Sequence, residues 1–179
     1  PKIIGMDFGW DHPTAAAFCA WDRDDDCFYV TATYKQSREV IAIHAAALKA
    51  WGEHPVSWPH DGYKHDQTSG DQIAMIYRNH GLRMLPEHAT NTSGGIGTEA
   101  PIQEMLEAMI TGKFKIFSHN QIFFDEIGQY HRKSGKIVKL YDDVISSVRY
   151  AWMMRRFSRV KSKKMMAQDT GLDYNPLVH

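Results

Sequence analysis

The first fourteen residues constrain this chain most. Lys2-Ile-Ile-Gly-Met-Asp7-Phe-Gly-Trp-Asp-His-Pro-Thr14, followed by the apolar run Ala15–Ala20, reads as a buried strand carrying one acid. The chain then turns tightly through Gly9 and returns as a second strand. Burying a carboxylate costs several kcal/mol unless a cation or hydrogen-bond donors compensate it. Asp7 is therefore either the cap of its own turn, through backbone N–H groups, or a ligand for a hard metal ion. A single strand-end Asp favours the cap. What the remaining chain brings to the same place has to decide.

The run Asp22-Arg-Asp-Asp-Asp26 breaks the apolar pattern as a polar turn, and Cys27–Tyr34, rich in aromatic and β-branched residues, is a third strand. These three strands form an antiparallel meander. A helix is expected from Ser37, with Val40, Ile41, His44, Ala45, Leu48 and Trp51 at helical spacing and Gly52 as its stop. Pro55–Trp58 is a fourth strand, reached through a helix and so parallel to the first, and it ends in Pro59-His60-Asp61-Gly62. There follow a helix over Gln72–His80, a strand over Leu82–Leu85 and a Gly-rich loop over Asn91–Gly97. An amphipathic helix over Glu99–Ile110, a brief strand within Lys113–Phe117 and a helix over Gln121–His131 continue the chain. After the Lys133-Ser-Gly-Lys136 turn, a last helix opens at Asp142-Asp143 and runs to about Phe157. The predicted fold is α/β, a mixed sheet with strands 1–3 antiparallel and later strands parallel, helices covering both faces. Residues 1–160 make one domain, and 161–179 form a polar tail expected to be loosely held.

No apolar run reaches the roughly 18 residues of a membrane span, so no membrane partner is expected. Two cysteines, Cys19 and Cys27, make no disulfide framework and read as core thiols in a reducing compartment. The net charge is zero, which excludes a uniformly basic nucleic-acid binder. From Arg132 to Lys164, however, eleven Lys or Arg stand against only Asp142 and Asp143, a local basic region that suits phosphate neutralisation as well as it suits a solvated helix face. The start at Pro1, directly into a strand, suggests an excised domain or a processed product.

Sites in α/β sheets form beyond the carboxyl ends of strands. Asp7 closes strand one, Asp61 follows strand four, and Asp142 and Asp143 open the last helix. If they converge, their oxygens suit Mg²⁺ or Mn²⁺, and two such ions can activate a water and stabilise the leaving oxygen in phosphodiester cleavage. Asp143 is preferred as the third ligand because it shares a helical face with Ser146 and Tyr150, which leaves Asp142 as N-cap. Asp11, His12, His60, His65 and Asp66 flank these acids in turns and loops.

This ordered set resembles the RNase H-like nuclease fold. More narrowly, Gly5-Met-Asp7-Phe-Gly-Trp-Asp-His-Pro-Thr-Ala15, Trp58-Pro-His-Asp61-Gly62, Phe124-Asp-Glu-Ile-Gly-Gln-Tyr-His131 and Asp142-Asp-Val-Ile-Ser-Ser-Val-Arg-Tyr-Ala151 resemble the C-terminal nuclease domain of the large terminase subunit of tailed bacteriophages. The resemblance implies an endonuclease that uses Mg²⁺ or Mn²⁺, as two ions, to cut double-stranded viral DNA with little sequence specificity during genome packaging. It makes Asp7 the bridging ligand, Asp61 the second and Asp143 or Asp142 the third. It also implies as partners double-stranded DNA, the packaging ATPase domain of the same full-length protein, the terminase small subunit and the portal of the procapsid, in the host cell cytoplasm. No Gly-rich phosphate loop ending in Lys-Ser/Thr occurs here, so the chain would be the nuclease part without its motor. Many family members carry a further Asp where this chain has Ser146. Other RNase H-like nucleases, such as a junction resolvase or hybrid nuclease, use the same acids, and an interaction domain with a decayed site is the non-enzymatic alternative. Gly5-x-Asp7-x-Gly9 also resembles the phosphate hairpin of actin-like ATPases, which require a second such hairpin that is absent here. Either Thr92–Gly97 or the excursion Lys133–Lys139 is the segment expected to restrict access to the acids.

Overall fold

Alternation in the first strand divides the protein into two layers of core. The computed structural model describes residues 1–66, 69–133, 136–138 and 140–160. Strands β1 (Lys2–Asp7), β2 (Thr14–Asp22) and β3 (Cys27–Gln36) form the meander. Helix α1 (Ile41–Lys49) leads to β4 (Pro55–Ser57), and α2 (Ile73–Asn79) leads to β5 (Arg83–Met84). Then come α3 (Glu99–Ile110), β6 (Phe114–Ile116) and α4 (Gln121–Gln129). A small hairpin of β7 (Arg132–Lys133) and β8 (Lys136–Ile137) precedes α5 (Asp143–Met153). The six-stranded sheet has the order β5-β4-β1-β2-β3-β6, with β2 antiparallel to both neighbours and the β1–β4, β4–β5 and β3–β6 pairs parallel. The mixed sheet read from the sequence is the sheet observed. The tail expected over 161–179, and residues 134, 135 and 139 of the expected excursion, lie outside the described residues.

Ile4 and Met6 of β1 point to one face, where α1 and α2 bury Ala45, Leu48, Ala74 and Tyr77 against them. Ile3, Ala15, Ala17 and Val30 point to the other, against Met105 of α3, Phe123 of α4 and Val144, Val148 and Ala151 of α5. Gly5 lies on this second face beneath α5. A Cβ there would stand 1.9 Å from the Ser147 carbonyl oxygen and 2.7 Å from the Ala151 nitrogen, both backbone atoms that cannot rotate away. The buried Ser57 hydroxyl donates to the Tyr150 carbonyl at 2.8 Å, tying the same helix to β4. Backbone thus meets backbone, and the N-terminus of α5 is fixed near the end of β1.

Some element ends differ from the sequence expectation for local reasons. β3 runs on to Gln36, and Arg38 adopts a left-handed φ of 58°, so α1 starts at Ile41 rather than Ser37. Tyr130 is extended and leads into the β7–β8 pairing, which ends α4 at Gln129. Cys19 and Cys27 are buried and free, and they do not face each other, since Cys19 pairs with Val30 and Cys27 with Asp22. Among the described residues no helix is long and apolar enough to cross a membrane.

Because its obstacles are backbone, Gly5→Ala is expected to destabilise the domain by about 2 kcal/mol or more. Urea unfolding checks this; an unchanged midpoint would show that α5 does not press on β1.

Candidate metal centre

Asp7 ends β1 on the face that α5 covers. Parallel pairing of Gly5 with Ser57 aligns β4 with β1, so the chain leaving β4 emerges at the edge where Asp7 stands. There Trp58 is buried, its indole N–H donating to the Leu85 carbonyl at 2.8 Å. The 3₁₀ turn His60–Tyr63 wraps over that ring, and Gly62 is required because a Cβ would lie 2.4 Å from it. This places Asp61 on the rim, with its side chain 58% exposed and paired to Lys64 at 2.9 Å. Asp142 and Asp143 stand at the N-terminus of α5, the positive end of the helix dipole. Asp142 occupies the N-cap position but its side chain makes no capping hydrogen bond; its carbonyl accepts the Ser146 N–H at 2.7 Å.

The four acids sense one another at Asp7. Its pKa is pushed up to about 7, chiefly by burial; Arg149 opposes the rise, and repulsion from Asp143, Asp142 and Asp61 adds to it. Near neutral pH a proton therefore competes for this carboxylate. As the side chains stand, no three His, Cys, Asp or Glu groups among the described residues are close enough together to hold an ion. Asp61 faces Lys64 and Asp143 faces a second lysine, Lys35.

That second lysine was not found from the sequence. Lys35 Nζ lies 2.9 Å from Asp143 Oδ2 and 2.7 Å from Oε1 of Glu126, whose side chain is only 4% exposed. Burial works to lower the Lys35 pKa, but its hydrogen bonds to Asp143 and Glu126 prevail and raise it. Burial also raises the Glu126 carboxyl, against the pull of Lys35 and of the Ile145 N–H. A lysine closing a strand of alternating pattern looks like a solvent-facing residue, and its partner Glu126 is 91 residues away.

Several expected surface cations are engaged by the fold. Arg149 is buried, its guanidinium 4.3 Å from the Tyr150 ring centre. Arg155 and Arg156 donate to the Trp152 and Met153 carbonyls at 2.8 and 2.9 Å, satisfying the C-terminal end of α5. Lys139 and Lys161 lie outside the described residues. His60 packs edge-on against His88 with ring centres 4.9 Å apart, beside Asp61.

Comparison with known proteins gives this geometry a context. Residues 4–155 match the family model described as the terminase RNase H-like domain. The chain is 43% identical over 160 residues to the terminase large subunit of Salmonella phage P22, covering 88% of this chain and 32% of that protein. It thus spans about a third of the length of the curated relatives it matches. Its fold superposes on the P22 large terminase nuclease domain with a TM-score of 0.81, covering 88% of this chain and 82% of the other at 43% identity. The nuclease domain of the SPP1 large terminase, with bound Mn, shares the fold at a TM-score of 0.54 and 14% identity over 87% of this chain and 85% of that one.

The raised Asp7 pKa has a stability signature. In the metal-free protein the folded state keeps a proton that the unfolded chain, with an ordinary carboxylate near 3.8, has already released. Asp7 therefore contributes stability at acid pH that is lost as pH rises through about 7. Asp7→Asn, which never ionises, should exceed wild type in stability at pH 8 by on the order of a few kcal/mol, and most of the gap should close by pH 5. Urea unfolding in EDTA at the two pH values measures this; a gap independent of pH would contradict the assignment.

Proposed function

This chain belongs to the terminase RNase H-like domain family, and on that premise we propose that it is a divalent-metal-dependent endonuclease that cuts double-stranded viral DNA during genome packaging. The observation that carries the reading is the position of Asp7, partly buried at the end of a central strand within the field of three further carboxylates. Such a concentration of like charge, made of oxygen donors alone, fits a hard divalent cation of the Mg²⁺ or Mn²⁺ type. The SPP1 nuclease domain that shares the fold has bound Mn.

Asp7, Asp61 and one of Asp143 and Asp142 are the residues that would hold the metal, with Asp7 shared between two ions. Asp61 can be recruited cheaply, because an exposed ion pair such as Asp61–Lys64 is worth only about 0–1 kcal/mol. Asp143 is the preferred third acid, since it raises the proton affinity of Asp7 more than Asp142 does. When bound, divalent ions supply Lewis acidity for water activation and for charge on the leaving oxygen. The chain's own part is to hold the carboxylates on rigid elements: a strand end, a turn clamped on Trp58, and a helix seated on Gly5. Arg149 keeps a fixed positive charge beneath them, which tempers their repulsion before any cation arrives.

Cutting with little sequence preference would rest on contacts to phosphates rather than bases, and zero net charge implies weak DNA affinity for this chain by itself. The DNA would be presented by the rest of a longer protein, including a packaging ATPase domain, with a small subunit and the portal of the procapsid as further partners, in the host cytoplasm.

Supercoiled plasmid should be nicked and linearised by micromolar protein with Mn²⁺ at low salt. EDTA should abolish the cutting, and Asp7→Ala and Asp61→Ala should each reduce it to background. Undiminished metal-dependent cleavage by folded Asp7→Ala protein would overturn the proposal.

A further inference from the structure

We propose that Lys35 is a positioning residue for the metal centre: anchored by buried Glu126, its ammonium pins one oxygen of Asp143 and leaves the other for a divalent cation shared with Asp7. The inference rests on the metal-site reading above and adds to it a device that sets the geometry of the third acid.

Strand register brings these groups together. Asp7 pairs with Ala15, and Ala15 pairs with Lys35, so the three occupy one row across β1, β2 and β3 and point to the same face. The residue between them is a fully buried alanine, whose single methyl leaves room for the lysine stem to cross toward α5. Glu126 is the anchor. Glu126 uses Oε1 for Lys35 and Oε2 for the Ile145 N–H at 3.0 Å, one of the first-turn donors of α5 that has no partner within the helix. One buried carboxylate therefore fixes both the lysine and the helix end that carries Asp143.

Lying 2.9 Å from Asp143, the ammonium gains an ion pair in the metal-free protein, but its charge would repel a cation held by that acid. The shared ammonium makes sense if orientation of Asp143 is worth more than the repulsion. Groups that orient metal ligands commonly change metal affinity by about 10–100-fold when removed.

The test is Mn²⁺ binding measured by calorimetry on the whole chain. Lys35→Met alone would leave Glu126 buried without its cation, so the double variant Lys35→Met with Glu126→Gln is the informative one. It replaces the pair by uncharged groups of similar size, a change buried ion pairs often tolerate without loss of stability. Its thermal midpoint should match wild type, while its Mn²⁺ affinity should fall about 10-fold or more. Lys35→Arg, which can still donate to both carboxylates, should retain most of the affinity. Unchanged or tighter Mn²⁺ binding by the double variant would overturn the positioning role, since a merely structural pair predicts that result. No Mn²⁺ binding by wild type, or wild-type affinity in Asp7→Asn, would instead overturn the metal site itself, and this inference with it.

Discussion

The contact of α5 with the glycine of β1 is the constraint on which the site depends. With any side chain at position 5, the Ser147 carbonyl and the Ala151 nitrogen would have to move, and the helix would lift from the sheet. Because it seats instead, the N-terminus of α5 reaches the end of the same strand, two residues beyond Gly5, where Asp7 stands. The Ser57–Tyr150 hydrogen bond repeats the tie one strand over, so β1, β4 and α5 form a rigid corner. Asp61 then needs only a short turn from β4 to arrive at the same edge.

That corner collects negative charge, and the protein manages it with two internal cations of different kinds. Arg149 sits buried, stacked on Tyr150, and lowers the proton affinity of Asp7 without an ion pair of its own among the described residues. Lys35 is bound tightly to two carboxylates and acts on Asp143 by contact. Asp61 alone remains on the exposed rim with a weak surface partner. Three of the four acids thus stand in different surroundings: Asp7 is partly buried and proton-prone, Asp143 is held by Lys35, and Asp61 lies exposed on the rim against Lys64.

Much of this could be read from the residues. Strand alternation gave β1 to β3 and their antiparallel order, and the helix between β3 and β4 implied the parallel return observed beside β1. The acids were legible at their element ends, and Asp7 feels the charge of the other three. Other features depend on contacts remote in sequence. α5 reads as an amphipathic helix with a basic face, yet Arg149, Ser146 and Ser147 are buried because the helix lies across the sheet with α3 and α4 beside it. The Lys35–Glu126 pair joins residues 91 apart and leaves no local periodic mark. The start of α1 shifted because a left-handed Arg38, which spacing does not reveal, precedes it.

The most direct measurement is a crystal structure grown with Mn²⁺, with the ions identified by anomalous scattering. The account predicts peaks held by Asp7, with Asp61 drawn off Lys64 and Asp143 contributing one oxygen while its other stays on Lys35. The absence of a peak at Asp7, or an ion held by Asp142 with Asp143 turned away, would contradict it.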